Sequence, residues 1–185
     1  MKGRGDMAII SLAKRDDLDE DGKQFFDERL RKGKRITNMT NTLMRSMKSF
    51  YAMEFYPIRD EMIKIVGNRA TYFYCYAISA QTDCLVCSTY HAKLLRDLNI
   101  RPDEFKNTEI EKILIAYGRA IVDDANNVPE KLYVQLKDIF TDKELVIITT
   151  VGCKMIASNL FNQALKVDLD EYLYDVDFKA DLQTK

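Results

Sequence analysis

Apolar residues recur along most of this chain three and four positions apart, and strict alternation is scarce, so the pattern predicts helices nearly throughout. Only three Pro and seven Gly punctuate it. Residues 1–15 read as a loose arm, followed by a helix from Asp19 to Lys32 whose apolar positions are Phe25, Phe26 and Leu30. A helix from Asn38 to about Phe50 comes next. Beyond Pro57, Ile58, Met62, Ile65 and Val66 mark a buried face that Gly67-Asn68 interrupts, and an aromatic helix from Arg69 to Ala80 follows.

The second half repeats the theme. Ile110, Ile113, Leu114, Tyr117 and Ile121 share one face of a helix from Thr108 to Asp124, with Gly118 as a point of close helix contact. Pro129 suits a first helical position, and Leu132, Leu136 and Ile139 point that element to the core. Thr141 with Glu144 three residues on has the spacing of a capping box, opening the most apolar segment, Leu145 to Leu165. Its middle, Ile147 to Val151, is β-branched, but the cap and the helical spacing of Val151, Met155, Asn159 and Asn162 outweigh that preference. A helix so apolar on all sides is expected to be buried, partly between subunits. The acidic, Tyr-bearing tail from Leu169 to Asp177 is expected to dock on a neighbour or fray. The fold class is all-α, with residues 16–185 as one domain.

Composition narrows the function. Lys and Arg total 28 against 29 Asp and Glu, which gives no electrostatic push toward nucleic acid or an anionic membrane. Lys2, Gly3, Arg4 and Gly5 have no following apolar run of signal-peptide length, and the best apolar stretch, Leu145 to Met155, is too short to span a bilayer and contains Lys154. A cytoplasmic location is therefore expected, where four Cys speak for reactive or buried thiols rather than a disulfide scaffold. Cys75 and Cys153, in apolar surroundings, read as small buried hydrophobes.

The chemistry concentrates in Cys84-Leu85-Val86-Cys87-Ser88-Thr89-Tyr90-His91, which holds two thiols and the chain's one histidine. On a helix these three side chains fall within an arc of about 60°. Cys84 can close a disulfide onto Cys87, and Cys87 can exchange a proton with His91 one turn away. Gln81-Thr82-Asp83 supplies N-cap residues that would set Cys84 in the first turn, where the helix dipole favours thiolate. The reading assigns attack to Cys87 and resolution to Cys84, with the opposite order also open. Zinc is disfavoured, since a tetrahedral site wants four ligands and no second Cys pair or His is present. No Gly-rich phosphate loop appears, so no nucleotide cofactor is implied.

The run from Ala80 to Ala92, with its C-x-x-C-x-x-x-H spacing, resembles the signature of the carboxymuconolactone decarboxylase-like superfamily, and within it the AhpD-like alkylhydroperoxidases. The similarity extends over roughly residues 20–170. It implies an all-helical bundle with the Cys pair at the N-terminus of a central helix, assembly into trimers or hexamers, and antioxidant reduction of organic hydroperoxides. Electrons would come from a dithiol or lipoyl-type donor through a redox-active Cys84–Cys87 disulfide, with no other cofactor, metal, nucleic acid or membrane partner. In that family a glutamate about three turns before the first Cys pairs with the motif His. Here Asn68 to Tyr74 contains no acid, which leaves Tyr72, Tyr76, Asp83 or Glu61 as candidates for the proton relay and keeps a thiol–disulfide reductase open beside the peroxidase. Val86 likewise stands where the family often has an aromatic residue or His.

Two other functions fit the same scaffold. A lactone decarboxylase-like enzyme would need acid–base groups around an acidic substrate rather than a dithiol. A non-catalytic helical oligomeric module with a decayed site would keep its thiols near the ordinary value of about 8.5.

Overall fold

The computed structural model describes residues 10–54, 56–100 and 106–174. Eight α-helices lie among them, and no strand: α1 (Glu20–Arg31), α2 (Asn38–Met44), α3 (Met47–Glu54), α4 (Ile58–Gln81), α5 (Leu85–Asp97), α6 (Glu109–Asp124), α7 (Glu130–Ile139) and α8 (Asp142–Ala164). The helical boundaries follow the caps written in the sequence. Asp19 caps α1 by accepting from the Gly22 N–H, while Thr108 with Glu111 and Thr141 with Glu144 form reciprocal capping boxes at α6 and α8.

α4 is the central element, packed against α5, α6 and α8. Its break is as expected: Gly67 has φ 80° and ψ 169°, a backbone state open to glycine, so the two halves run as one helix with a kink. Tyr74, Cys75 and Ile78 of its second half meet Leu114 and Tyr117 of α6 and Ile148 and Val151 of α8 in the main core. The aromatics of this helix are therefore core: Phe73 and Tyr74 are fully buried. Backbones come close enough that a Cβ at Gly118 would meet the Ile78 side chain at 2.9 Å, and one at Gly152 would meet the Tyr74 hydroxyl at 2.3 Å.

Several expectations need correcting. The helix expected from Asn38 to Phe50 is two, because the chain turns at Arg45 and Ser46 between α2 and α3. Pro129 is the residue before α7, and Ile139 of that helix is exposed. Cys153 is exposed rather than buried. The arm divides: residues 1–9 lie outside the described residues, whereas Ala13 is buried and exchanges two hydrogen bonds with the Asn41 side chain. The tail, over its described residues 169–174, folds back on its own chain, where Asp170 accepts from the Asn38 N–H and Leu173 is buried; 175–177 lie outside the described residues. α8 reaches 23 residues with a mean hydropathy of 1.4 over its most apolar window, so by length and composition it can cross a membrane, contrary to the shorter apolar run read in the sequence. One face of it lies in the core through Ile148 and Val151, while Val146 and Leu160 are exposed.

Candidate functional site: a buried cysteine pair under a cavity

The turn from α4 to α5 builds the site. Thr82 ends α4, Asp83 takes a left-handed conformation with φ 56°, and the N–H groups of Asp83 and Cys84 return to the carbonyls of Ala80 (3.1 Å) and Ser79 (3.0 Å). This is a Schellman closure, with aspartate in the seat glycine usually takes. Asp83 is thus not the N-cap of α5; Cys84 itself is. α8 fastens the turn, since Asn159 Nδ2 donates to Thr82 Oγ1 at 2.7 Å and Gln163 Nε2 to the Thr82 carbonyl at 2.6 Å.

Cys84, Cys87 and His91 are all buried, and the stripe read from their spacing is present on α5. Cys87 and His91 line a cavity of about 360 Å³, and Cys84 is not part of its lining. The two thiols hydrogen-bond each other. That bond, joined by the N–H groups of Cys87 and Val86, outweighs burial and brings Cys84 down to about 7. The same bond, burial and the neighbouring sulfur's charge push Cys87 up, opposed by the amide of Asn162, whose Nδ2 donates to Cys87 Sγ at 3.2 Å. The pair therefore yields one thiolate near neutral pH and holds its remaining proton tightly. Cys75, fully buried, is pushed up to about 12 by desolvation and takes no part.

His91 is bonded differently from the sequence reading. Its Nδ1 lies 2.9 Å from the Cys87 carbonyl oxygen, which can only accept, so Nδ1 carries the proton and Nε2 the lone pair. Nε2 is buried with no partner among the described residues. Burial first, then the positive charge of Arg59, pushes His91 down to about 3, so the ring is neutral.

The candidate relay groups lie elsewhere. The hydroxyl of Tyr72 donates to Asn68 Oδ1 at 3.3 Å, and burial raises its pKa. Tyr76 is buried in the cluster around Phe73 and Leu95, Asp83 is exposed on the turn where its charge disfavours a Cys84 thiolate, and Glu61 pairs with Lys64 at 2.7 Å. None bonds the His91 ring. Sequence reasoning missed Asn162, Arg59 and Met39. The signal for the first was legible, because an amide on the apolar stripe of α8 needs a buried partner. Arg59 carried no local pattern, since only the fold brings the start of α4 to the cavity. Among the described residues no group of three His, Cys, Asp or Glu gathers as metal ligands.

This architecture has a solved counterpart: the crystal structure of an alkylhydroperoxidase AhpD core, an uncharacterized peroxidase-related protein from Ralstonia eutropha JMP134. It superposes with a TM-score of 0.72 over 91% of this chain and 95% of that one, at 16% identity. The chain has the AhpD-like fold. No protein-family model and no curated protein matches the sequence. The AhpD-like fold accounts for the helical order, as the sequence resemblance implied, with the Cys pair at the start of α5, which packs on the central α4; at this identity, chemistry has to be argued from the residues.

Proposed function

We propose that the protein is a thiol-dependent peroxidase of the alkylhydroperoxidase kind, acting in a reducing cytoplasm. The observation that carries the reading is the hydrogen-bonded pair of buried thiols, one of which, Cys87, faces a cavity while receiving an N–H from Asn162.

The resting thiolate is favoured on Cys84; to react, the proton of Cys87 passes along the hydrogen bond to Cys84, which leaves the thiolate on Cys87 at the cavity wall. Cys87 Sγ attacks the distal oxygen of an organic hydroperoxide; the S–O bond forms, the O–O bond breaks, and the alkoxide takes a proton to leave as an alcohol. Cys84 attacks the resulting sulfenic acid, water leaves, and the Cys84–Cys87 disulfide forms. An external dithiol, lipoyl-type in the resembling family, returns two electrons by attacking the accessible Cys87 sulfur, with Cys84 as leaving group. In that step the N–H groups of Cys87 and Val86, which favour a Cys84 thiolate, receive the departing sulfur. His91 acts as a neutral acceptor through Nε2, and its bond to the Cys87 carbonyl orients the ring.

The apolar cavity wall favours organic peroxides over hydrogen peroxide. Assembly into a trimer or hexamer is part of the same proposal, with the exposed Val146 and Leu160 of α8 as apolar positions available for it. A lactone decarboxylase-like reaction is less well served, because the acid–base work would fall on a histidine pushed to about 3. A decayed, non-catalytic module is disfavoured by the depressed Cys84.

The test is dithiol-dependent consumption of cumene hydroperoxide by wild type beside Cys87→Ser, with mass spectrometry of the Cys84–Cys87 disulfide. Consumption lost in the variant, with the disulfide present in wild type, is the expected result. A disulfide without consumption would reassign the protein to thiol–disulfide exchange, and neither would leave it a structural module.

A further inference from the structure

The cavity carries a charge the thiol chemistry does not use. Arg59, in the first turn of α4, is half-buried on the same wall as Cys87 and His91, and its guanidinium carbon lies 5.9 Å from the centre of the Tyr90 ring. Among the described residues no carboxylate pairs with it. The other charged groups lining the cavity are Lys154, which holds Glu54 at 3.3 Å, Arg29, whose Nη2 donates to the Arg35 carbonyl at 2.8 Å and whose guanidinium lies over the Phe25 ring, Asp170, which accepts from the Asn38 N–H at 2.7 Å, and Asp60, which is exposed. A partly desolvated guanidinium without an anion is costly, and its planar fork matches a carboxylate. The field of this arginine reaches His91, which it helps keep neutral.

Part of the wall is apolar, formed by Met39, Ile58, Val86, Val151 and Met155, beside the uncharged polar Thr37, Thr40 and Ser158. The one fork of Arg59 beside this apolar surface suits one carboxylate. We propose that the cavity receives an amphipathic carboxylate, its charged end on Arg59 and its apolar body against α8, so that the hydroperoxide reduced at Cys87 is a fatty-acid-type one. The chemistry rests on the peroxidase reading, whereas the binding rests on the cavity alone.

Calorimetric titration of full-length Cys87→Ser with decanoate and with decanol separates the two. Decanoate is expected to bind about tenfold more tightly than decanol, the size of one charge-assisted interaction. That gap should vanish in Cys87→Ser/Arg59→Gln and return in part with Arg59→Lys. Equal affinities in the Arg59 protein, no binding of either, or a gap that survives Arg59→Gln would each overturn the assignment. The first comparison needs no Arg59 variant, so a misfolded variant cannot shelter the idea. Decanoate bound through Arg59 without any peroxide consumption would sink the peroxidase and keep the anchor. Equal turnover of a fatty-acid hydroperoxide and its methyl ester would do the reverse.

Discussion

Asn162 on α8 gives a side-chain N–H to the sulfur of Cys87 on α5, 3.2 Å away, and the same Nδ2 lies 3.6 Å from the Met39 sulfur. An amide buried to 3% exposure between two sulfurs is poorly satisfied while the thiol is protonated and well satisfied by a thiolate. It opposes, without outweighing, the burial and the Cys84 hydrogen bond that push Cys87 up.

Asn162→Leu should therefore slow alkylation of Cys87 at neutral pH. Removing a donor to the thiolate raises its pKa, by about one unit for a bond of this class. Iodoacetamide kinetics against pH, with the modified cysteine located by mass spectrometry, reads the change. An unshifted profile would remove Asn162 from the mechanism.

His91 makes folding sensitive to acid. Its pKa is about 3 when folded, against about 6.5 for a free imidazole, so the unfolded chain binds the extra proton between those values. Stability from this group is full above about pH 6.5 and falls as the pH drops toward 3, by a few kcal/mol at most. Urea midpoints measured from pH 7 to 4 should decline more gently for His91→Gln than for wild type. Parallel curves would mean that the ring is not the buried neutral group described.

How much of this was readable beforehand follows from where each interaction lies along the chain. Caps are local, so Thr141 announced its helix, as Asp19 and Thr108, read only as helix starts, could have done, and the three-residue spacing of Cys84 and Cys87 with His91 four further on announced the site. What depends on distant packing gave no partner: the amide of Asn162 on an apolar stripe signalled that it needed one, and Arg59 gave no signal. Arg59 and Asn162 lie 28 and 75 residues from Cys87, and nothing in the spacing of the motif pointed to either. The polarity of His91 was misjudged for the same reason. A thiol one turn away in sequence is a plausible partner, but the ring turns to the carbonyl of that residue. Cys153 was misplaced because apolar neighbours in sequence flank it on α8 without facing the same side.

The turn before Cys84 carries a testable strain. Asp83 holds φ 56° in a closure that glycine fills at no steric cost. Asp83→Gly should raise thermal stability by about 1 kcal/mol. It should also lower the pKa of Cys84, because a negative charge that disfavours its thiolate is gone. Thermal unfolding and thiol titration on the same protein check both directions. A loss of stability would mean that the aspartate side chain contributes a bond outweighing the strain.

Gly152 sets the distance between α8 and the core, and through it the position of Asn162 over Cys87. A methyl group there would lie 2.3 Å from the Tyr74 hydroxyl and 2.6 Å from Ile121 Cδ1, far inside contact distance. Tyr74 cannot simply withdraw, since it is fully buried and its hydroxyl donates to the Ile148 carbonyl at 3.2 Å. Gly152→Ala should destabilise by about 1–3 kcal/mol, the usual cost of overpacking. Removing the obstructing oxygen in Tyr74→Phe/Gly152→Ala should recover part of that loss, a coupling that a double-mutant cycle of urea midpoints measures. Additive losses would show that the clash is relieved elsewhere, by Ile121 or by a shift of α8. In that case alkylation of Cys87 should change as well, because Asn162 moves with the helix.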